Sequence, residues 1–493
     1  MTIPDSDLAP VAAVIVLAAG GGTRMKSRHS KLLHEVCGKS MLSYAVSAAE
    51  ALNPHHLVVV VGHQRVEVLE HLESLSQNVT TAVQEQQLGT GHAVSCGLEQ
   101  LPNLEGDVVV TYGDVPLLTG KTLRKLVSIH RAESNAVTVL TAEVEDPAGY
   151  GRIVRTGGKV TGIVEHRDAS DEQLLIREIN SGIYVFDAAV LRDGLAQLST
   201  DNAQGEQYIT DVLRYAHDLD RPVGALITED VWQTEGVNDR VQLARMSQEL
   251  NRRILERWMR EGVTVIDPRN TWVDVDVDLS QDVTLMPGVI LQGATTIASG
   301  AVIGPDTTLQ DVEVGENATV IRSHGSFAII GDGATVGPFS YLRPGTQLGS
   351  GGKIGAFVET KNAVVGEGSK IPHLSYVGDA VIGDGVNIGA GTIFANYDGV
   401  NKSATHVGNS AFIGSNSVLV APVDISDGAF VAAGSAVTDD VPAGGLAVAR
   451  GRQRNVDDWV ATRRPGSKAA QAAAESDGNV HPAVIESRAK KKE

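Results

Sequence analysis

Aromatic side chains make up only 4% of this 493-residue chain, and cysteine contributes two residues, Cys37 and Cys96. Two thiols exclude a disulfide framework in a chain of this size and point to the cytoplasm. No apolar run approaches the roughly 18–20 residues that cross a bilayer, so membrane insertion is excluded. The apolar stretch 11–19 is little more than one strand long, and the opening MTIPDSDLAP lacks the basic start of a secretory leader. Positive charge is also short: 41 Lys and Arg against 60 Asp and Glu leave a formal charge of −19. Without a local basic stripe such a field repels phosphate backbones, so nucleic acid is not an expected partner. The apolar fraction, 42%, excludes wholesale disorder, and the length predicts two to four domains at roughly 100–200 residues each.

Glycine, with 53 residues, is what the chain has instead. Between residues 268 and 451 a Leu, Ile or Val followed by Gly recurs, as in Ile303-Gly304, Val314-Gly315, Ile330-Gly331, Val336-Gly337, Leu348-Gly349, Ile354-Gly355, Ile382-Gly383 and Ile388-Gly389. Many gaps are six or twelve residues or one short of that, whereas the first 267 residues hold three such pairs with no shared period. This is a hexapeptide repeat, the pattern of a parallel β-helix. One aliphatic residue in six points inward from each short strand, and Gly, Asn and Asp form the turns. A narrow interior of that kind leaves little room for rings.

Residues 11–240 read differently. Apolar strands at 13–17, 57–61 and 108–111 alternate with helix-like stretches at 42–52, 64–75, 91–101 and 120–131, which predicts a mostly parallel, Rossmann-like α/β sheet. Val241, Leu243, Met246, Leu250, Ile254 and Trp258 then follow at helical spacing, so 241–267 reads as a linker helix. The β-helix is expected over 268–451 and an arm with Trp459 over 452–464. The Ala-, Ser- and Lys-rich segment 465–493 reads as a disordered tail, and residues 1–10 as a flexible start.

Two groups of residues carry chemistry. The run Leu17-Ala18-Ala19-Gly20-Gly21-Gly22-Thr23-Arg24-Met25 follows the first strand, where glycines let backbone N–H groups approach phosphates. It is neither a Walker A loop nor a dinucleotide fingerprint. Arg24 and Lys31 stand within one loop of it as candidate triphosphate-binding cations. A second polar turn runs from Gln84 through Gly89 and Thr90 to His92. Tyr112-Gly113-Asp114-Val115-Pro116-Leu117 sets a carboxylate after a buried strand, placed either to hold Mg²⁺ against phosphates or to cap a turn. Gly236-Val237-Asn238-Asp239-Arg240 comes later.

LAAGGGTRM…K, QLGTGHA, YGDVPL and GVNDR, in this order and ahead of a hexapeptide domain, resemble the sugar-phosphate nucleotidyltransferases. More narrowly, residues 11–464 resemble the family of bifunctional N-acetylglucosamine-1-phosphate uridyltransferase/glucosamine-1-phosphate acetyltransferases. The resemblance implies that Asp114 and Asn238 hold Mg²⁺ and that Arg24 and Lys31 bind and neutralise phosphates. It implies a UTP and UDP-sugar site built from Leu17, Ala18, Ala19, Gly20, Gln84, Gly89, Thr90 and Tyr112, with Gly151, Glu165 and Asn180 at the sugar. Ser30 stands where the family usually has Pro before the lysine. His92 is given no role beyond capping or packing.

In the repeat domain, polar residues that a regular coil does not require gather between Leu342 and Lys402, and the step from Ile388-Gly389 to Val407-Gly408 is 19 residues, the mark of an extra loop. A histidine there suits general-base work on an attacking amine, although a lone His on a coil is as readily a solvated turn residue. Glu359, if near His373, would orient the imidazole; Asn396 or a backbone N–H would stabilise the oxyanion. The resemblance assigns His373 as base and Glu359 as its partner. It places Arg343, Lys361, Tyr376, Asn387 and Lys402 on the amino-sugar phosphate, and Asn396 and Tyr397 near the acetyl group. It puts Ala390, Ser415, Ala433 and Arg450 along acetyl-coenzyme A; a surface salt bridge explains Arg450 almost as well. It further implies a left-handed β-helix that forms a homotrimer.

The expected enzyme acetylates glucosamine-1-phosphate from acetyl-coenzyme A, then transfers UMP from UTP to N-acetylglucosamine-1-phosphate and releases pyrophosphate. The rivals are a nucleotidyltransferase whose coil only assembles or regulates, and an inactive nucleotide-binding subunit.

Overall fold

A computed structural model of the chain describes residues 8–62, 65–76, 78–476 and 478–490. Residues 1–7 of the expected flexible start, Gln64 of the expected helix 64–75, and Lys491 and Lys492 of the basic end lie outside the described residues.

The first half folds around one sheet in the order Val223–Thr228, Val137–Glu143, Glu178–Asp187, Asp107–Tyr112, Ala13–Ala18, His56–Val61, Val79–Val83. Ala13–Ala18 is buried along its whole length because it has parallel neighbours on both edges and helices over both faces. The helices Met41–Glu50, Thr90–Glu99 and Gly120–Ala132 fall within two residues of the periodic stretches; Ser40 and Thr119 cap two of them through their side chains.

The mostly parallel expectation holds along the main path of the sheet except at one strand, and the hairpin strands Arg152–Thr156 and Lys159–Val164 join it antiparallel. Glu178–Asp187 runs antiparallel to both of its neighbours, Asp107–Tyr112 and Val137–Glu143. A parallel return needs a helix-length crossover. Residues 144–177 instead form the hairpin Arg152–Thr156/Lys159–Val164 and the four-residue helix Asp171–Leu174, so the chain comes back antiparallel.

The helix Arg240–Arg260 buries Met246, Ile254, Leu255 and Trp258 and leaves Val241 exposed. Its buried Asn251 donates to the Thr271 carbonyl and accepts from Val273 N–H, satisfying backbone groups at the start of the coil. The short hairpin Glu35–Val36/Lys39–Ser40 packs there too: Val275 N–H donates to the Cys37 carbonyl, and Lys39 pairs with Asp276 at 2.7 Å.

The first strand of the coil is Thr264–Val265, paired with Thr284–Leu285 and so ahead of residue 268. Parallel strands then climb three faces, each strand bonding to its counterpart one coil on. On the first face Ile303, Val320, Val336, Ile354 and Ile371 stack in register, and the same ladder continues through Ile388, Ile413 and Val431. Each side chain is nearly inaccessible, which is the aliphatic core the hexapeptide period demands. Phe394 is fully buried; Phe339 and Phe357, and Phe412 and Phe430, stack outside in exposed pairs. The long step of the repeat is a loop over 396–404, closed by a bridge between Tyr397 and Lys402.

Beyond the coil the structure departs from the expected disorder. Lys468–Glu475 and Pro482–Ala489 are helices, neither with a buried residue. Alanine-rich composition, the Ser467 side-chain cap and Pro482 at the first turn supply local propensity. The arm helix Trp459–Arg463 is exposed as well, with Arg464 over the Trp459 ring.

Candidate functional site

At the C-terminal ends of the sheet strands two cavities meet. One, of about 280 Å³, is lined by Leu17, Ala18, Ala19, Gly20, Lys31, Gln84, Gly89, Thr90, Tyr112 and Asp114, with Leu32, Gln87, Ala93 and Glu206. The other, of about 320 Å³, is lined by Arg24, Tyr112, Asp114, Tyr150, Ser181, Gly236, Asn238 and their neighbours. Tyr112 and Asp114 belong to both. A larger open groove of about 730 Å³ at Ala12, His55, His56 and residues 100–105 lies at the opposite strand ends, away from where α/β sheets bind ligands.

Lys31 stands at the divide. Its side chain is 9% exposed, and its ammonium donates to Asp114 Oδ2 at 2.5 Å and Asn238 Oδ1 at 3.3 Å. The glycine loop packs over the stem: a Cβ on Gly22 would come within 2.8 Å of Lys31 Cβ. Gln87 ties the second turn to the first by donating to the Ala19 carbonyl at 2.7 Å. Burial pushes the Tyr112 phenol up, helped by Asp114 and Glu165, so it stays protonated. Gly182, at φ +82°, makes room for its ring, which a Cβ would approach to 2.5 Å.

Gly151, Glu165 and Asn180 line neither cavity but form one cluster behind Tyr150 and Ser181. The Gly151 carbonyl accepts from Asn180 N–H, and Glu165 Oε1 lies 3.4 Å from the Cβ position of Gly151. Burial raises the Glu165 pKa against the Thr210 hydroxyl that donates to it.

Gly89 is the tightest point of the second turn. Its φ is +115°, and a Cβ would sit 2.5 Å from the Gln207 carbonyl oxygen. Gly89→Ala should therefore introduce strain of about 1–3 kcal/mol. It should raise KM for UTP about tenfold or more in steady-state pyrophosphate assays while acetyl transfer is unchanged; an unaltered KM would refute this reading of the turn.

The repeat domain gathers its polar residues in two places. On the second face Tyr341, Glu359 and Tyr376 stack in register, with Lys361 beside them. Arg343 donates to Glu359 Oε1 at 2.9 Å. Lys361 lowers the Lys402 pKa by hydrogen bonding and repulsion, so the two ammonium groups are neighbours. A Cβ on Gly378 would meet the Tyr376 hydroxyl and lie 2.8 Å from Asn396 Nδ2, so both face one spot.

His373 ends a strand of the first face, at the corner, with Ala356 as its partner one coil below. The corner continues upward through Gly391 N–H to the His373 carbonyl, Asn416 N–H to Ala390, and Gly434 N–H to Ser415. His373, Ala390, Ser415 and Ala433 thus form one column, and the Arg450 stem reaches Gly434 at the top. Asn387 stands elsewhere on the first face, between Lys370 and Phe412. A single chain does not gather it with Arg343, Lys361 and Tyr376. Nor does Glu359 bond to His373 in this structure: its oxygen goes to Arg343, which projects from the adjacent coil of the same face. Tyr397 is exposed and donates to the Gly399 carbonyl within the extra loop.

Sequence reasoning missed Glu206 and Asp379. Glu206 enters the first cavity on a loop held there by long-range bonds, Gln207 N–H to Leu88 and Gly91 N–H to Gln207, which leave no local signal. Asp379 accepts from Asn362 Nδ2 at 2.9 Å and Asn396 Nδ2 at 2.5 Å. Burial pushes its pKa up, but those two amides and the charges of Lys361 and Lys402 outweigh it and keep the carboxylate ionised. Its spacing, 17 residues from both asparagines, is one coil and was the available signal.

Residues 14–216 match the model of the MobA-like NTP transferase domain, and 405–439 that of the hexapeptide repeat of succinyl-transferase. Bifunctional protein GlmU of Paenarthrobacter aurescens is 57% identical over 94% of this chain and 94% of its own; that of Pseudarthrobacter chlorophenolicus is 56% identical over 94% and 95%. The chain belongs to the bifunctional GlmU family. A solved UDP-glucose pyrophosphorylase complexed with UDP-glucose overlays 49% of this chain and 99% of its own at 19% identity and a TM-score of 0.40, too distant to bear on function. As a GlmU-family member the chain is a bifunctional transferase of UDP-N-acetylglucosamine synthesis, with acetyltransferase and uridyltransferase activities, and its coil is a left-handed parallel β-helix.

Proposed function

We propose that uridyl transfer takes place where the two cavities meet at Asp114, the nucleotide lying in the first and the sugar-1-phosphate in the second. The sharing of Tyr112 and Asp114 by both cavities, with Lys31 aimed between them, is the observation that carries this reading. The division into a uridyltransferase domain over 11–240, a linker over 241–267, an acetyltransferase domain over 268–451 and an arm over 452–464 goes with it.

A sugar-1-phosphate is already ionised at neutral pH and needs no protein base to attack the α-phosphorus. The protein's part is in-line alignment and charge neutralisation. Lys31 and Arg24 supply positive charge from the two sides of the junction. Glu165, Asn180 and Gly151 orient the sugar.

The donor set suits a hard cation: a carboxylate and an amide oxygen, from Asp114 and Asn238, converge on one point, where here the Lys31 ammonium sits. Among the described residues no group of three or more His, Cys, Asp or Glu gathers for a metal, so the remaining ligands come from phosphate and water. We assign the ion as Mg²⁺; when bound it neutralises the triphosphate and the departing pyrophosphate.

In the coil, His373 takes the proton from the attacking amine of glucosamine-1-phosphate as the amine adds to the acetyl thioester. Arg343, Lys361 and Lys402 hold the phosphate, and Tyr376 and Asn387 the sugar. Asn396 Nδ2 donates one N–H to Asp379 and keeps the other for the thioester oxygen, near Tyr397. Glu359 sets Arg343 by accepting from its guanidinium. The column of Ala390, Ser415 and Ala433, with Arg450 at its top, is the coenzyme A track. Because Asn387 stands on another face from Lys361, we propose that a homotrimer completes the site from neighbouring chains. The described helices include none long and apolar enough to cross a membrane, and with two free thiols we place the enzyme in the cytoplasm.

The test is a coupled assay offering glucosamine-1-phosphate, acetyl-coenzyme A, UTP and Mg²⁺, each left out in turn. Omitting acetyl-coenzyme A should abolish both thiol release and UDP-sugar formation. Chelating the metal with EDTA should reduce uridyl transfer by about 10³-fold or more and leave thiol release intact, and added Mg²⁺ should restore it. No thiol release in the full mixture would favour a coil that only assembles.

A further inference from the structure

His92 lies on the helix Thr90–Glu99, beside the nucleotide cavity but not lining it, and the reaction scheme gives it no task. Its partner does line the cavity. Gln84 is 5% exposed, and its amide nitrogen Nε2 meets the Gly89 carbonyl at 3.1 Å and His92 Nδ1 at 3.0 Å. A primary amide has two N–H donors and one carbonyl acceptor. Gly89 O can only accept. If His92 Nδ1 also accepts, both amide protons are used within the protein, and the group left facing the cavity is the carbonyl Oε1. The other ring nitrogen fits this tautomer: Nε2 then carries the proton and points at Cys96 Sγ, 3.8 Å away.

We propose that His92 is a positioning residue for base selection: it locks the Gln84 carboxamide so that an acceptor, not a donor, meets the pyrimidine. Uracil carries a donor at N3–H where cytosine carries a lone pair. A fixed acceptor at Gln84 therefore pairs with UTP and repels CTP at that position. Without the Nδ1 acceptor one amide proton loses its partner and only the Gly89 carbonyl resists rotation, so the carboxamide can swing an N–H toward the cavity and the preference for UTP over CTP falls. Sites built around a buried hydrogen-bonding partner discriminate far more strongly than apolar ones, because the wrong ligand leaves a buried group unpaired. The neighbouring backbone supports the lock: Gln84 N–H bonds to Val61 O and Ala93 N–H to Gly89 O, so strand end and helix start are held in fixed relation.

The proposal rests on the reading of this cavity as the uridine site, and the experiment separates the two. Steady-state kcat and KM for UTP and for CTP, with N-acetylglucosamine-1-phosphate as acceptor, are measured for the wild type, His92→Leu, His92→Asn and Gln84→Ala. Thiol release by the coil domain of the same preparations reports folding. His92→Leu should lower the UTP-to-CTP ratio of kcat/KM about tenfold or more, chiefly through KM. His92→Asn, whose Oδ1 can take the place of Nδ1, should restore most of the ratio. If His92→Leu keeps the wild-type ratio, or His92→Asn loses as much as His92→Leu, the proposal fails while the cavity assignment stands. If Gln84→Ala also leaves the ratio unchanged, the base does not lie against Gln84 and both fall.

Discussion

Asp114→Ala should reduce uridyl transfer by about 10³-fold or more, the scale on which one electrostatic component of phosphoryl transfer is lost. Acetyl transfer should be untouched. Asp114 has three connections: it accepts from Lys31 at 2.5 Å, its carbonyl accepts from Val237 N–H of the Asn238 turn, and it borders both cavities. Truncation removes the carboxylate and also leaves a nearly buried ammonium with only Asn238 as partner. Breaking one half of such a pair destabilises because the surviving charge is uncompensated. Asp114→Asn separates the two effects. It keeps an oxygen for Lys31 and the shape of the turn but loses the charge, so the fold should survive and the rate should still collapse. Pyrophosphate release measures one activity and free thiol the other. Loss of both activities from a folded Asp114→Asn protein would overturn the assignment of two separate sites.

The parts of this structure legible in the sequence are those fixed by local pattern. Strand Ala13–Ala18, its neighbours and the aliphatic ladder of the coil follow from periods of buried residues, and the loop at 396–404 from a single break in a period. The glycine turns could be read because backbone that must approach a phosphate or a neighbouring chain excludes Cβ, as at Gly22 and Gly89. What could not be read depends on partners far along the chain. The antiparallel course of Glu178–Asp187 is decided by what residues 144–177 fold into, not by its own alternation. Glu206 reaches the nucleotide cavity only because its loop bonds to residues 88 and 91. The Glu359 carboxylate was expected beside His373, and the register of the coil gives it instead to Arg343. The scarcity of rings has a physical sense here: the coil interior admits one fully buried phenylalanine, Phe394, just ahead of the long loop, and the stacked pairs stay outside. The exposed tail helices arise where propensity and caps act with no buried face to oppose them.

His373→Ala should have the opposite effect from Asp114→Ala: acetyl transfer falls by about 10²–10⁴-fold, the usual contribution of a positioned general base, and uridyl transfer supplied with N-acetylglucosamine-1-phosphate proceeds at the wild-type rate. The imidazole stands at the foot of the column that continues through Ala390, Ser415 and Ala433, and three residues before Tyr376 on the neighbouring face. That corner is where a thioester lying along the column would meet an amine held by the Lys361 and Lys402 cluster. Because the side chain is exposed and contributes no buried packing, its removal should leave coil stability nearly unchanged, which makes the rate the informative quantity. The loss should fall on kcat, with KM for acetyl-coenzyme A little altered, since the alanine variant keeps the column that binds the cofactor. A rise in KM alone, at constant kcat, would make His373 a binding group and leave the proton without an acceptor on this face. Asp379→Asn offers the complementary comparison. It preserves the shape between Asn362 and Asn396 but substitutes an NH₂ group for one acceptor oxygen, so Asn396 loses its fixed orientation while His373 is untouched. The double variant measures the coupling of oxyanion support and base: a loss of about the product of the two single losses marks separate contributions, and a smaller loss marks groups that act as a unit on one transition state.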